Sequence, residues 1–181
     1  MIEYTLCWQK LHHIIQTQKF LSLNSSAISN LEMKERSDNN ITTHKQTKLT
    51  ESEVKFVTNN EVCRIATTYN NIPHVVPISY IYENGFFYFA TDYNTKKYRN
   101  LKENNRIALV IDVYNSSVDN KAVMIQGITE LIESGEEFRR LYKIFEKKFE
   151  WVRNDPWKEN EAPFVKIKPS KKVSWGLEEI S

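Results

Sequence analysis

The segment Thr91 to Asn100 (TDYNTKKYRN) gathers residues that could hold an anion. An apolar run ends in Thr91, a polar turn follows, and Thr95 stands where it can cap a helix over Lys96 to Glu103. A helix N-terminus offers unpaired N–H groups and a partial charge of about half a unit, and it favours anions, phosphate above all. The same dipole prefers carboxylates in the first turn, yet Lys96 and Lys97 occupy it, with Arg99 close behind. Each lysine there costs about 0.3–1 kcal/mol against the dipole. An anion seated at that end removes the conflict, and Thr91 and Thr95 add hydroxyl donors. From this segment alone two readings stand side by side: a phosphate seat, or a basic helix face solvated by water.

Other reactive residue types are sparse. Cys7 and Cys63 lie far apart, so neither a metal spacing nor a disulfide framework can be built from them. His12-His13 is too isolated for a metal site. His74 follows Pro73 in a turn, where a lone histidine is either a proton donor or simply exposed. Cys63 reads as a small core residue. Tyr80, Tyr82 and Tyr88 either line a substrate cleft or pack a barrel interior or dimer face. Trp151 and Trp157 either cover a ligand or anchor a loop.

The elements that must position these residues belong to a chain of 181 residues, 40% hydrophobic, 27% charged and 12% aromatic. That composition predicts a folded core rather than disorder. A net charge of +2 gives no electrostatic reason to expect nucleic acid. No stretch approaches the ~18 apolar residues of a membrane span. The N-terminus, with Glu3 early and Gln9, Lys10, His12 and His13 breaking the apolar run, does not read as a secretory signal. The few cysteines fit a reducing cytoplasm.

Composition changes near residue 48, which divides an N-terminal extension (1–48) from a folded domain (49–181). In the extension, Trp8 to Leu23 has helical apolar spacing, while Asn24 to Lys48 is polar and is expected to be a disordered linker. Met33 inside it is an alternative start. The domain opens with a capping box, Thr50 and Glu53, ahead of a short helix carrying Val54, Phe56 and Val57.

Strands are then predicted at Val62–Tyr69, Val75–Tyr82, Phe86–Thr91, Arg106–Val113, Ala122–Ile132 and Phe164–Lys168. Asn70, Asn71 and Pro73 make one turn, and Asn84-Gly85 makes a tight hairpin. Pro77 marks an edge or an irregularity, and Gly127 a bulge or a close approach. A second capping box, Ser134 and Glu137, opens a helix to about Phe149 with Phe138, Leu141, Tyr142 and Phe145 on one stripe. Trp151 to Ala162 is expected as a loop. The fold class is mainly β (α+β): a six-stranded antiparallel split β-barrel with short flanking helices.

An ordered set of short runs carries a resemblance to a known family. Arg64-Ile65-Ala66-Thr67 comes first, then Pro73-His74-Val75-Val76-Pro77, then Phe87-Tyr88-Phe89-Ala90-Thr91, then Lys96-Lys97 and Asn100-Leu101. Asn105 to Val110 and Gln126-Gly127 follow. From about Leu49 to Leu177 the chain resembles the pyridoxamine 5′-phosphate oxidase-like family of FMN-binding split β-barrels. The resemblance implies that Ala90 and Thr91 at the strand end, with Lys96 and Lys97, hold the flavin phosphate. It implies that Val76, Pro77, Ile78 and Ser79 line the isoalloxazine ring, largely through backbone groups, and that Trp175 reaches a flavin across a homodimer interface. Arg64 is then a candidate for the pyrimidine end of the ring, or it pairs with a surface carboxylate. The implied function is two-electron redox chemistry on a small molecule, with no catalytic side chain assigned. The alternatives on this fold are the deazaflavin coenzyme F-420 and a non-catalytic flavin- or haem-binding protein. After Trp175 come Gly176, Leu177 and two glutamates, where the vitamin oxidases carry an Arg-x-His segment. Oxidation of pyridoxamine phosphate itself is therefore not expected.

Overall fold

The structure is a computed structural model that describes residues 47–115 and 120–177. The expected helix over Trp8–Leu23, and the linker up to residue 46, lie outside the described residues. The described helices are α1 (Glu51–Asn59), α2 (Lys96–Glu103), α3 (Gly135–Lys148) and α4 (Glu150–Asn154). The strands are β1 (Val62–Tyr69), β2 (Ile72–Ser79), β3 (Ile81–Glu83), β4 (Phe86–Ala90), β5 (Arg106–Tyr114), β6 (Asn120–Ile132) and β7 (Phe164–Trp175).

All strands join one antiparallel sheet in the order β2-β1-β5-β6-β7-β4-β3. Its two margins, β2 and β3, are separated in the chain only by Tyr80. A sheet whose opposite edges are covalent neighbours must curl on itself, which is the split-barrel arrangement. The sheet has seven strands where six were expected, because the second predicted strand is broken in two. The break is at Tyr80, whose N–H donates to the Glu61 carbonyl (3.1 Å). Its buried hydroxyl donates to the Val57 carbonyl on α1 (2.6 Å). Before Tyr80 the chain pairs with β1, and after it with β4. The two tight turns use left-handed backbone, at Asn70 and Asn71 (φ 49° and 61°) and at Asn84 and Gly85 (φ 51° and 84°). This geometry matches the twist of the flanking strands.

Period-two alternation sends one face of each strand inward. Cys63 and Ile65 of β1, Ile107, Leu109 and Ile111 of β5, and Phe87 and Phe89 of β4 share the barrel core with Val165 and Ile167 of β7. Burying each such large side chain contributes about 1.5–3 kcal/mol. A second cluster lies beneath α3 and α4, where Phe138, Leu141, Phe145 and Val152 meet Tyr88 and Phe164. The tyrosines at 80 and 88 thus take the packing role rather than the cleft role, and burial raises the pKa of both phenols.

Gly127 sits where the β6–β7 register shifts, opposite Pro169. A Cβ there would lie 2.7 Å from the Lys168 carbonyl, so the strands approach at a distance only glycine permits. Pro169 brings no N–H to the ladder, and the shift accommodates it. Its carbonyl instead accepts the Thr47 N–H (3.1 Å), so the chain ahead of α1 already lies on β7.

Three local expectations are corrected. Ser134 makes no side-chain cap, and its capping box with Glu137 does not form. The Gly135 N–H donates to Glu159 (2.9 Å), and Glu137 instead receives Lys166 (2.9 Å). The supposed loop from Trp151 is in its first part helix α4. The last strand runs to Trp175 rather than Lys168, because the long β6 offers partners all the way.

Candidate functional site

At the start of α2, Thr95 caps the helix as expected, accepting the Tyr98 N–H (3.3 Å). The first turn contains Lys96 and Lys97 and no acidic residue. Thr91 is buried and its hydroxyl shares a hydrogen bond with that of Thr95 (2.9 Å), joining the end of β4 to the helix cap. The Thr91 N–H is used by the Pro163 carbonyl (3.0 Å), which fixes the strand end. Lys96 is exposed and Lys97 half-buried. Burial pushes the Lys97 ammonium below its ordinary value, and Asp92 offsets part of that.

Two residues outside the predicted set hold this helix in place. Asn100 is buried and donates to the Thr67 hydroxyl (3.0 Å). One turn on, Asn104 donates to the Thr68 hydroxyl (3.0 Å). Asn100 inside the helix and Asn104 at its C-cap thus tie both ends of its last turn to successive threonines of β1. The Asn-x-x-x-Asn spacing opposite Thr67-Thr68 was the available signal.

The structure places the proposed ring-lining residues on margin strand β2. Val76 and Ile78 pack toward the barrel core, while Pro77 faces outward, exposed, beside Arg64. Ser79 is half-buried opposite Val62. Val76 and Ile78 are half-buried with their side chains against the core, and a margin strand leaves alternate N–H and C=O groups without ladder partners. Arg64 is ion-paired with Asp112 of β5, the surface-carboxylate option of its two readings.

Arg64 also begins a row across the outer face. It stands opposite Pro77 and Val110, Val110 opposite Met124, and Met124 opposite Val173. Around this row Val62, Val75, Met124, Val173 and Trp175 are exposed, a five-strand surface with large apolar side chains in water. Trp175 ends β7, three strand spacings from β1, or about 14 Å across the sheet. The structure thus brings Thr91, Lys96 and Lys97 together, with Ala90 beside them, and sets Trp175 apart from the others.

Behind Trp175 lies a network that the sequence did not reveal. Glu53 of α1 is 3% exposed. It accepts the Thr50 N–H (2.7 Å), the Ser174 hydroxyl (2.8 Å) and the Lys172 ammonium. Burial raises its pKa, but Lys172, Thr50 and Ser174 outweigh that and hold the carboxyl below its usual value of 4.5. The final stretch of β7 is thereby clamped to α1. Cys63 is a free, buried thiol whose pKa burial pushes up to about 12. Among the described residues no cluster of His, Cys, Asp and Glu could hold a metal ion, and no helix is long and apolar enough to cross a membrane.

Comparison with solved structures places this geometry among known folds. A conserved hypothetical protein of Mycobacterium tuberculosis is 21% identical, with a TM-score of 0.60, covering 76% of this chain and 96% of that one. An FAD-binding protein of Mesorhizobium loti is 22% identical, with a TM-score of 0.56, covering 70% and 94%. The haem-storage protein HutZ of Vibrio cholerae is 14% identical, with a TM-score of 0.61, covering 70% and 95%. No curated protein matches the chain. The sequence model described as pyridoxamine 5′-phosphate oxidase matches residues 49–174, from the residue ahead of the α1 cap nearly to the end of β7. On that match the chain belongs to the pyridoxamine 5′-phosphate oxidase family.

Proposed function

We propose that the protein is a cytoplasmic homodimeric flavoprotein that binds FMN and carries out two-electron redox chemistry on a small molecule. The observation that carries this reading is the basic, acid-free first turn of α2, joined by its cap to the buried Thr91. Its donor set suits a phosphate monoester: two ammonium groups and the free N–H groups of a helix start. The Thr91 hydroxyl donates to Thr95 and that of Thr95 to the Asp92 carbonyl, so Thr91 would turn its proton to the anion on binding. A dianion there would also compensate the Lys97 ammonium that burial disfavours. Thr91, Lys96 and Lys97 would hold the phosphate, with Ala90 beside it. The margin strand from Val76 to Ser79 would present backbone groups to the ring. Bound there, a flavin supplies hydride transfer, and the chain supplies position and charge compensation.

The dimer is supported by the exposed apolar face. Val62, Val75, Met124 and Val173 have no cover within the described chain. Trp175, three strand spacings or about 14 Å from β1 along its own sheet, would then serve the flavin of a second copy. A relative described as FAD-binding supports a flavin as the class of cofactor. The free buried thiol Cys63 suits a reducing compartment.

The test is mass spectrometry of the cofactor released from natively purified protein, with FMN titration of the parent and of Lys96→Ala/Lys97→Ala. FMN should be recovered, and the double variant should bind it at least about tenfold more weakly, since each charge-assisted contact is worth about 1.5–3 kcal/mol. Recovery of a deazaflavin or haem, or unchanged FMN affinity in the variant, defeats the reading.

A further inference from the structure

A cavity of about 260 Å³ opens beside the C-terminal end of β4. Ala90, Thr91 and Asp92 form one wall, and Trp151, Asp155 and Trp157 the other. Trp157 is fixed: its indole N–H donates to the Ala162 carbonyl (3.1 Å), and its ring packs against Tyr142 and Phe164. Trp151 lies parallel to it, within 2°, with ring centroids 5.9 Å apart. Trp151 is nevertheless 43% exposed, a large indole surface left in water at the end of a well-packed cluster.

The charge of the lining has one sign. Asp92 and Asp155 contribute carboxylates, and no lysine, arginine or histidine lines the cavity. Asp155 uses its backbone N–H to close α4 on the Trp151 carbonyl (3.0 Å). Among the described residues its carboxylate has neither an ion pair nor a hydrogen bond. Asp92 is felt electrostatically by Lys97, which is not part of the lining.

Aromatic faces attract cations, indole most strongly, and carboxylates add to the attraction. The cavity shares Ala90 and Thr91 with the phosphate seat, but Lys96 and Lys97 are not in its lining and its two carboxylates repel anions on the side of Trp151 and Trp157. A neutral ligand would gain indole contact but nothing from the two acids, whose water it would displace. The volume is near the lower end for small-molecule sites, which limits the ligand to a small one.

We propose that this cavity binds a small organic cation, an ammonium or quaternary ammonium group on a short apolar stem. Trp151 and Trp157 supply the aromatic wall, and Asp92 and Asp155 the charge. The proposal stands on Trp151, Trp157, Asp92 and Asp155, none of them assigned to the flavin, and does not require the flavin reading.

It is tested by tryptophan fluorescence on the full chain, titrated with choline and with benzyltrimethylammonium. The controls are 3,3-dimethylbutan-1-ol, the neutral counterpart of choline, and adenosine monophosphate, an aromatic anion. Both cations should give a saturable change, and both controls should give none at the same concentrations. Asp155→Asn should weaken cation binding about tenfold, the order expected for one close carboxylate at a partly exposed site. Trp151→Ala should abolish the response, and FMN uptake by Asp155→Asn should equal that of the parent. If Asp155→Asn melts early, Asp92→Asn supplies the same comparison. Equal binding of the neutral alcohol, preferential binding of the nucleotide, no saturable response to either cation, or unchanged affinity in the aspartate variant overturns the proposal.

Discussion

Replacing Glu53 by glutamine probes the clamp between α1 and the end of β7. The carboxylate accepts from Thr50, Ser174 and Lys172 and is 3% exposed. Glutamine keeps the shape and one carbonyl oxygen but replaces the other acceptor with a donor, facing groups that also donate. Removing one partner of a buried ion pair costs about 3–5 kcal/mol. The Lys172 side chain is 24% exposed and can recover some water, which lowers the expected loss. We expect about 2–4 kcal/mol, or a fall in melting temperature of about 6–15 °C for a folded unit of this size. Urea denaturation should show a lower midpoint with an unchanged slope.

The pH dependence supplies a second signature. The folded Glu53 pKa lies below its usual value of 4.5, so its stabilisation is fully present above 4.5 and is lost as pH falls through the folded value. The gap between parent and variant should therefore be largest near neutral pH and narrow below about 4.5. Adding Lys172→Met to the Glu53→Gln variant should recover part of the loss, since the stranded ammonium is then gone. A loss below about 1 kcal/mol, or a gap that does not change with pH, would refute the electrostatic argument.

Two further outcomes follow from close packing. Gly127→Ala should destabilise the chain by about 1–3 kcal/mol, measured by urea denaturation, because its Cβ would stand 2.7 Å from the Lys168 carbonyl and 2.8 Å from Ile167 Cγ2. Cys63 should resist iodoacetamide in the native protein and react on unfolding, as followed by peptide mass mapping. Its thiol is 1% exposed, with a pKa pushed up to about 12, so the reactive thiolate is scarce until the core opens.

What could be read from the sequence was what neighbouring residues determine among themselves. Asn84-Gly85 announced its hairpin because left-handed backbone is a property of those two residues. Thr50 with Glu53 announced a helix start because both halves of the box lie within one turn. The capped, lysine-bearing start of α2 was legible for the same reason, since Thr91, Thr95, Lys96 and Lys97 fall within a few residues. The break at Tyr80 was not legible, because apolar alternation continues across it and the cause is a carbonyl on α1. Nor was the choice of partner for a charge. Glu137 turned from Ser134 to Lys166, and Arg64 found Asp112, through contacts made only once the sheet had formed. The Glu53 clamp joins residues 119 and 121 positions apart, beyond any local pattern.

The placement of β7 between β4 and β6 bears on how the chain acquires its shape during synthesis. Until Phe164 and its successors leave the ribosome, both neighbours present raw edges, and the curled sheet has a gap in its middle. Such a precursor can misregister or recruit a strand from another nascent chain. Sealing therefore waits on a twelve-residue segment made late, whose contacts span much of the molecule, and a slow final zippering step is the natural consequence.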